Sequence, residues 1–247
     1  TCRTPQGKLG EMPMSSTARR GRKLLKQLPV RLRLGVPNAL NSLDEAIAAL
    51  RVVDPNCTPP TYMISDLQWV GAQLGFRQNS RPYLRHMAQK ASMVDGNVLE
   101  CGSGLSSLLL AVTAGRRGFS VHTFEHDPLI QRKLEGLVAR YRLRNITIHH
   151  TPIRSYGDFD WYEVPRDQVG KDFRLVICDG PARHLTDSGR YGLFPMMRDR
   201  LDPQCRVIMD DSNRSLDRHV IRRWRKEHQI EVQSYGRFLQ FAEIICI

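Results

Sequence analysis

The chain has 247 residues, 41% hydrophobic and 25% charged, and carries a formal net charge of +12. That hydrophobic share suits a globular protein with a buried core, either one α/β domain with an extension or two small domains. No run approaches the ~18 apolar residues of a membrane span, and the six cysteines show no CxxC pair or other metal-ligand spacing.

The charge excess points to an anionic partner, such as nucleic acid, a phosphorylated substrate or a membrane surface, or else to one basic segment that inflates the total. It is densest near the start. Residues 1–35 read as a basic, solvated arm, with Arg19, Arg20, Arg22, Lys23, Lys26, Arg31 and Arg33 close together, and only secondarily as a nucleic-acid or headgroup contact. Leucines between the later charges allow that half to dock on the body. Residues 36–95 read as a helical extension: a helix opening at Asn41–Glu45 and running to Arg51, prolines at 55, 59 and 60, then helices over Ser65–Leu74 and Pro82–Lys90. Tyr62, Trp69 and Tyr83 in it are pocket or core aromatics. Cys101, Cys178 and Cys246 lie in apolar runs, as small buried hydrophobes do, which suits reduced thiols and a cytoplasmic setting. No signal-peptide pattern is visible, although the chain begins at Thr1 without a methionine, which leaves room for an upstream piece.

From Val98 strands and helices alternate, so residues 96–247 are expected to form a mostly parallel sheet covered on both faces. The strands fall at Val98–Cys101, Ser120–Glu125, Ile146–His150, Phe173–Asp179 and Arg206–Asp210, with β segments at Ile230–Val232 and Phe238–Ile247 closing the chain. Helices are expected over Ser106–Ala114, Asp127–Tyr141, Tyr191–Leu201 and Leu216–His228, while Asp160-Trp161-Tyr162 falls in a long loop.

The segment Val98-Leu99-Glu100-Cys101-Gly102-Ser103-Gly104-Leu105-Ser106-Ser107 is a strand, a glycine turn and a helix start capped by Ser106 or Ser107. Such a unit cradles a nucleotide-type cofactor, with Gly102 and Gly104 giving close backbone approach and the helix N-terminus facing the ligand. Glu125 ends the next strand about 20 positions on, where a carboxylate accepts both ribose hydroxyls. Nicotinamide-dependent oxidoreductases use the same turn. Glu100, read as facing the cradle, separates the two options, because its charge repels a pyrophosphate and attracts an ammonium.

On these residues the chain resembles the class I S-adenosylmethionine-dependent methyltransferases: Glu100-x-Gly102-x-Gly104 looks like their first motif and Glu125 like their ribose-binding acid. The resemblance implies an α/β, Rossmann-like sheet of seven strands, the last inserted antiparallel, with helices on both faces and a helical N-terminal extension. It also implies S-adenosylmethionine as cofactor, held by Glu100, Gly102, Gly104, Ser106, Glu125 and Asp179, with His126 and, after the third strand, Pro152 and Ile153 around the adenosine. Asp179 ends the fourth strand and Asp210 and Asp211 the fifth, and carboxylates at adjacent strand tips repel one another unless protonated or holding a cation. The set is similar to that of metal-dependent small-molecule O-methyltransferases, implying Mg²⁺ or another divalent ion on Asp179, Asp210 and Asp211 and a hydroxyl-bearing small molecule as acceptor. No asparagine directly follows Asp210; Asn213 is the nearest. His184, just after Asp179, is the leading general base, and Asp179 and His184 form the catalytic pair if no metal serves. The other reading of the same fold is an RNA methyltransferase that uses the basic arm. The oligomeric state has no signature in the sequence.

Overall fold

The computed structural model describes residues 42–237 and 240–247. The basic arm, the first residues of the extension, and Phe238 and Leu239 lie outside the described residues. Three helices open the described chain: α1 (Leu43–Arg51), α2 (Thr61–Gln73) and α3 (Arg81–Met93). Each start is legible in local chemistry. The Ser42 hydroxyl accepts from the Glu45 amide at 3.2 Å, Pro60 precedes α2, and Ser80 caps α3 with Pro82 in its first turn.

Strands and helices then alternate through β1 (Asn97–Cys101), α4 (Leu105–Gly115), β2 (Val121–Glu125), α5 (Pro128–Arg140) and β3 (Ile146–His150). A short hairpin of β4 (Ile153–Ser155) and β5 (Asp160–Tyr162) follows. The chain continues as β6 (Phe173–Cys178), α6 (Leu193–Met197) with a 3₁₀ turn at Arg198–Arg200, β7 (Leu201–Met209), α7 (Ser215–Glu227), β8 (Ile230–Tyr235) and β9 (Phe241–Cys246).

The main sheet has seven strands in the order β3-β2-β1-β6-β7-β9-β8. The pairs from β3 through β7 are parallel, and β9 inserts antiparallel between β7 and β8. The expected α/β, mostly parallel, seven-stranded sheet is therefore present, inserted last strand included. The order reverses beside β1, so the crevice beyond the carboxyl ends of β1 and β6 is a topological switch point, where open α/β sheets bind ligands.

One core layer joins α1–α3 to α4 and to one face of the sheet; Ile47, Leu50, Ile64, Met87 and Leu108 are fully buried in it. The opposite layer holds Phe124, Trp161, Tyr162, Phe173, Phe194 and Trp224. Trp161 and Tyr162 correct the loop expectation: they pair in β5 and are fully buried. A helix over Tyr191–Leu201 shortens to α6 plus the 3₁₀ turn, and β7 starts at Leu201, ahead of the apolar stretch that marked it in the sequence.

The extension is clamped to the sheet by charge. Glu243 on β9, fully buried, accepts from His86 at 3.0 Å and Lys90 at 2.7 Å, both on α3, and from Arg206 on β7 at 2.7 Å. Burial alone raises a carboxyl's pKa; these three donors outweigh it and hold Glu243 well below the usual carboxylate range. Cys101, Cys178 and Cys246 are buried free thiols, as expected, and so is Cys205, whereas Cys57 is disulfide-bonded. Among the described residues, no helix is long and apolar enough to cross a membrane.

Candidate active site

The glycine turn does two different jobs. Gly102 has φ +90, and a Cβ there would meet the Gly180 amide nitrogen at 2.9 Å, so this glycine lets the β1 and β6 loops cross. Gly180 is equally confined: a Cβ would lie 2.2 Å from the Tyr162 hydroxyl. Gly104 is different. The nearest atom to a Cβ there is the Ser106 hydroxyl at 3.8 Å, so its open side is the one available to a ligand.

Glu100 does not face the cradle. It is fully buried, accepting from Ser106 Oγ and Ser107 Oγ at 2.6 Å each and from Thr123 Oγ1 at 2.9 Å. A carboxylate so enclosed presents no exposed surface, which corrects the expectation that the Glu100 side chain faces the cradle. The reason is α4: its first turn folds both serines back over the β1 tip, and Ser107 Oγ also accepts from the Gly104 amide at 3.1 Å. Burial pushes the Glu100 carboxyl up to about 7, against the three hydroxyls that favour its charge. Glu100 thus organises the turn from beneath.

Glu125 stands where the sequence placed it, at the carboxyl end of β2 over the turn. Its Oε2 accepts from the Ser103 amide at 3.2 Å and from the Ser103 hydroxyl, and its Oε1 from the Asp127 amide at 2.8 Å. His126 Nδ1 pairs with Oε1 at 3.0 Å. Burial alone raises this carboxyl, but His126, Ser103 and the Asp127 amide outweigh it and hold Glu125 below its ordinary value, while Glu125 in turn raises the His126 pKa. Ile153, half-buried, and Pro152, exposed, follow β3 on the same side of the sheet.

The acidic residues do converge. One carboxylate oxygen from each of Asp179, Asp210 and Asp211 lies within 4.8 Å of the others. Asp179 follows β6 and Asp210 follows β7, adjacent parallel strands. Asp211 adopts φ +54, a left-handed conformation that an aspartate tolerates better than most residues. These side chains line a cleft of about 550 Å³, along with Arg77, His184 and Arg183. His184 is exposed on the wall, with no hydrogen bond to another described residue.

Sequence reasoning missed Arg190 and Asn79 at this centre, and with them Asp217 and Arg214. Arg190, 4% exposed, sends Nη2 to Asp179 Oδ1 at 3.1 Å and Nη1 to Asp217 at 3.0 Å, and donates to the Asp210 and Asp179 carbonyls at 2.7 and 3.0 Å. Burial alone would discharge it; Asp179 and Asp217 outweigh burial and keep it protonated. Asn79, between α2 and α3, donates its amide to Asp179 Oδ2 at 2.7 Å and to Asp210 Oδ2 at 3.2 Å. Neither residue belongs to a periodic pattern or a motif. Glycines at 189 and 192 around Arg190 were the nearest signal.

Arg190, with Arg214 on Asp211 at 2.6 Å, leaves the cluster net negative, since Asp179, Asp210, Asp211 and Asp217 set four carboxylates against two guanidiniums. Burial, then Asp179 and Asp211, pushes Asp210 up to about 6. The buried Tyr83 hydroxyl has no hydrogen-bond partner among the described residues, and burial, then the charges of Asp179 and Asp210, raises its pKa. An all-oxygen donor set with residual negative charge fits a hard divalent cation.

No protein-family model matches the chain, and no curated protein matches it. Solved structures do. A protein from Staphylococcus aureus provisionally assigned as a caffeoyl-CoA O-methyltransferase superposes with a TM-score of 0.55 at 17% identity, covering 74% of this chain and 92% of that one. The O-methyltransferase from Bacillus cereus in complex with SAH gives 0.54 at 14% identity, covering 81% of this chain and all of the other. The fold is that of the class I methyltransferases. In this methyltransferase fold the glycine turn, Glu125 and the acidic cluster all lie at the carboxyl end of the sheet, at the tips of β1, β2, β6 and β7.

Proposed function

We propose that the protein is an S-adenosylmethionine-dependent methyltransferase that methylates a hydroxyl oxygen of a small molecule, with a divalent cation at the acidic cluster. The observation that carries this reading is the convergence of Asp179, Asp210 and Asp211 at the tips of β6 and β7, next to the glycine turn in a methyltransferase fold. In this reading Glu125 accepts the ribose hydroxyls, the Ser103 hydroxyl giving way, while His126, Pro152 and Ile153 flank the adenosine. Glu100 keeps the turn in place from below, and the open side of Gly104 admits the cofactor.

Asp179, Asp210 and Asp211 would hold the cation, which when bound lowers the pKa of a coordinated hydroxyl and orients it. The chain's own part in the transfer is positional. The cleft walls would hold the acceptor oxygen against the bound cofactor's methyl group, and alignment of this kind carries much of the barrier reduction. His184, exposed in the cleft that Asp179 also lines, would take the proton that leaves the acceptor. Arg190 opposes the effect of burial on the Asp179 and Asp217 carboxyls and holds them in register.

Calorimetry tests the reading in two steps. The protein should bind S-adenosylhomocysteine, and Mn²⁺ should bind to the wild type but not to Asp210→Asn, with S-adenosylhomocysteine affinity close to normal in that variant. Absence of S-adenosylhomocysteine binding sinks the methyltransferase reading; S-adenosylhomocysteine binding without Mn²⁺ binding sinks the cation alone and leaves Asp179 and His184 as the general-base pair.

A further inference from the structure

Asn79 occupies a peculiar place. Its side-chain amide nitrogen sits 2.7 Å from Asp179 Oδ2 and 3.2 Å from Asp210 Oδ2, bridging two of the three carboxylates that converge. Two oxygens in adjacent positions on an octahedral ion with 2.0–2.1 Å bonds lie about 3.0 Å apart. The distances from the Asn79 amide to the two carboxylate oxygens bracket that value. An asparagine amide has an acceptor and a donor end of nearly the same shape, so half a turn about its last torsion exchanges them. With the nitrogen inward it satisfies two carboxylates by hydrogen bonding. With the oxygen inward, it stands at that spacing from both an Asp179 and an Asp210 oxygen, which themselves belong to the converging set.

The backbone is anchored to permit that turn without moving. The Asn79 carbonyl accepts from the Gln68 side chain of α2, and Ser80 caps α3 immediately afterwards. Asp211, by contrast, is already engaged by Arg214 at 2.6 Å. A neutral amide oxygen also completes a coordination shell without adding to the negative charge that Arg190 only partly offsets.

We propose that Asn79 is a further ligand of the divalent cation, its amide presenting the nitrogen to Asp179 and Asp210 when the cation is absent and the oxygen when it is bound. This rests on the cation reading above, and it makes the connector between α2 and α3 part of the cation site. Cation loading is then coupled to the N-terminal helices as well as to the strand tips.

Mn²⁺ titration followed by electron paramagnetic resonance, which counts the free aqueous ion, tests this without any turnover assay. Asn79→Ala should weaken Mn²⁺ at least about tenfold, with S-adenosylhomocysteine affinity unchanged as the folding control. Asn79→Asp, which always offers an oxygen, should bind Mn²⁺ as tightly as the wild type or more tightly. Unchanged or tighter binding by Asn79→Ala overturns the assignment and makes Asn79 a competitor of the ion. Weaker binding by Asn79→Asp overturns it too, and serves as the test if the alanine variant does not fold. A wild type that binds no Mn²⁺ at millimolar concentration overturns both this proposal and the cation reading, whereas wild-type binding lost in Asp210→Asn but kept in Asn79→Ala overturns Asn79 alone.

Discussion

Arg190 is the residue on which the acidic centre most depends, and Arg190→Met keeps most of its volume while removing the charge. In the native protein the guanidinium is 4% exposed and spans Asp179 and Asp217 at 3.1 and 3.0 Å, with further bonds to two carbonyls. Deleting one side of a buried ion pair leaves uncompensated charge and costs about 3–5 kcal/mol. For a chain of this size each kcal/mol moves the melting midpoint by about 2–4 °C, so a fall on the order of 6–20 °C is expected. The loss has a definite pH dependence. Asp210 titrates near 6 in the folded protein, through burial first and then Asp179 and Asp211, against an ordinary value near 4. A raised carboxyl pKa means stability that is whole below the ordinary value and is lost as pH rises through the folded one. Asp179 is raised too, by burial, with Arg190 the largest opposing influence, so without Arg190 the same slope steepens. Urea unfolding of both proteins at pH 5 and pH 8, followed by circular dichroism, measures the difference. The variant should lose more at pH 8. A loss under about 1 kcal/mol at pH 8, or a larger loss at pH 5, refutes the view that this guanidinium compensates the cluster.

Three further expectations follow from the same geometry. Glu125→Ala should weaken S-adenosylhomocysteine at least about tenfold in calorimetry with the melting midpoint little changed, since each charge-assisted bond to the ribose is worth roughly 1.5–3 kcal/mol; unchanged affinity removes Glu125 from the ribose site. Glu100 titrates near 7 because it is buried, so wild-type stability should fall as pH rises through 7, and Glu100→Gln should flatten that part of the urea-stability profile. Glu100→Ala should be worse at every pH, because Ser106, Ser107 and Thr123 lose their acceptor at about 1–3 kcal/mol for each group left unsatisfied. Glu243→Gln should destabilise by about 1–3 kcal/mol at pH 7 by leaving the partly exposed Lys90 and Arg206 without their counter-charge and weakening the bond to His86. Because the Glu243 pKa is depressed, the gap between variant and wild type should close as pH falls below about 4, as thermal melts at pH 3 and pH 7 would register.

The amino-acid sequence by itself determined the alternation of elements and most of their ends. Those depend on signals local to a few residues: Ser42, Ser80 and Asp127 as caps, Pro82 and Pro128 in first turns, and apolar runs such as Phe173–Cys178 that only a strand covered on both faces explains. It also placed Glu125, Asp179 and Asp210 at strand tips, because a parallel sheet sends every carboxyl end to the same side. The tertiary structure alone decided which way those tips face. Glu100 reads as a cradle carboxylate in one dimension, yet the first turn of α4 brings Ser106 and Ser107 over it and leaves it fully buried. Trp161 and Tyr162 read as loop aromatics, but pairing with β4 buries both. Asn79 was invisible because its partners lie far off in sequence, Asp179 and Asp210 at separations of 100 and 131 residues, and Arg190 because its partners, 11 to 27 residues away, sit beyond other elements with no helical or strand register to it. Local propensity carries no information about charge pairing at that range. Whether a cluster of carboxylates is compensated, and by which groups, becomes readable only when the sheet has brought its tips together with the loop after β6 and the connector before α3.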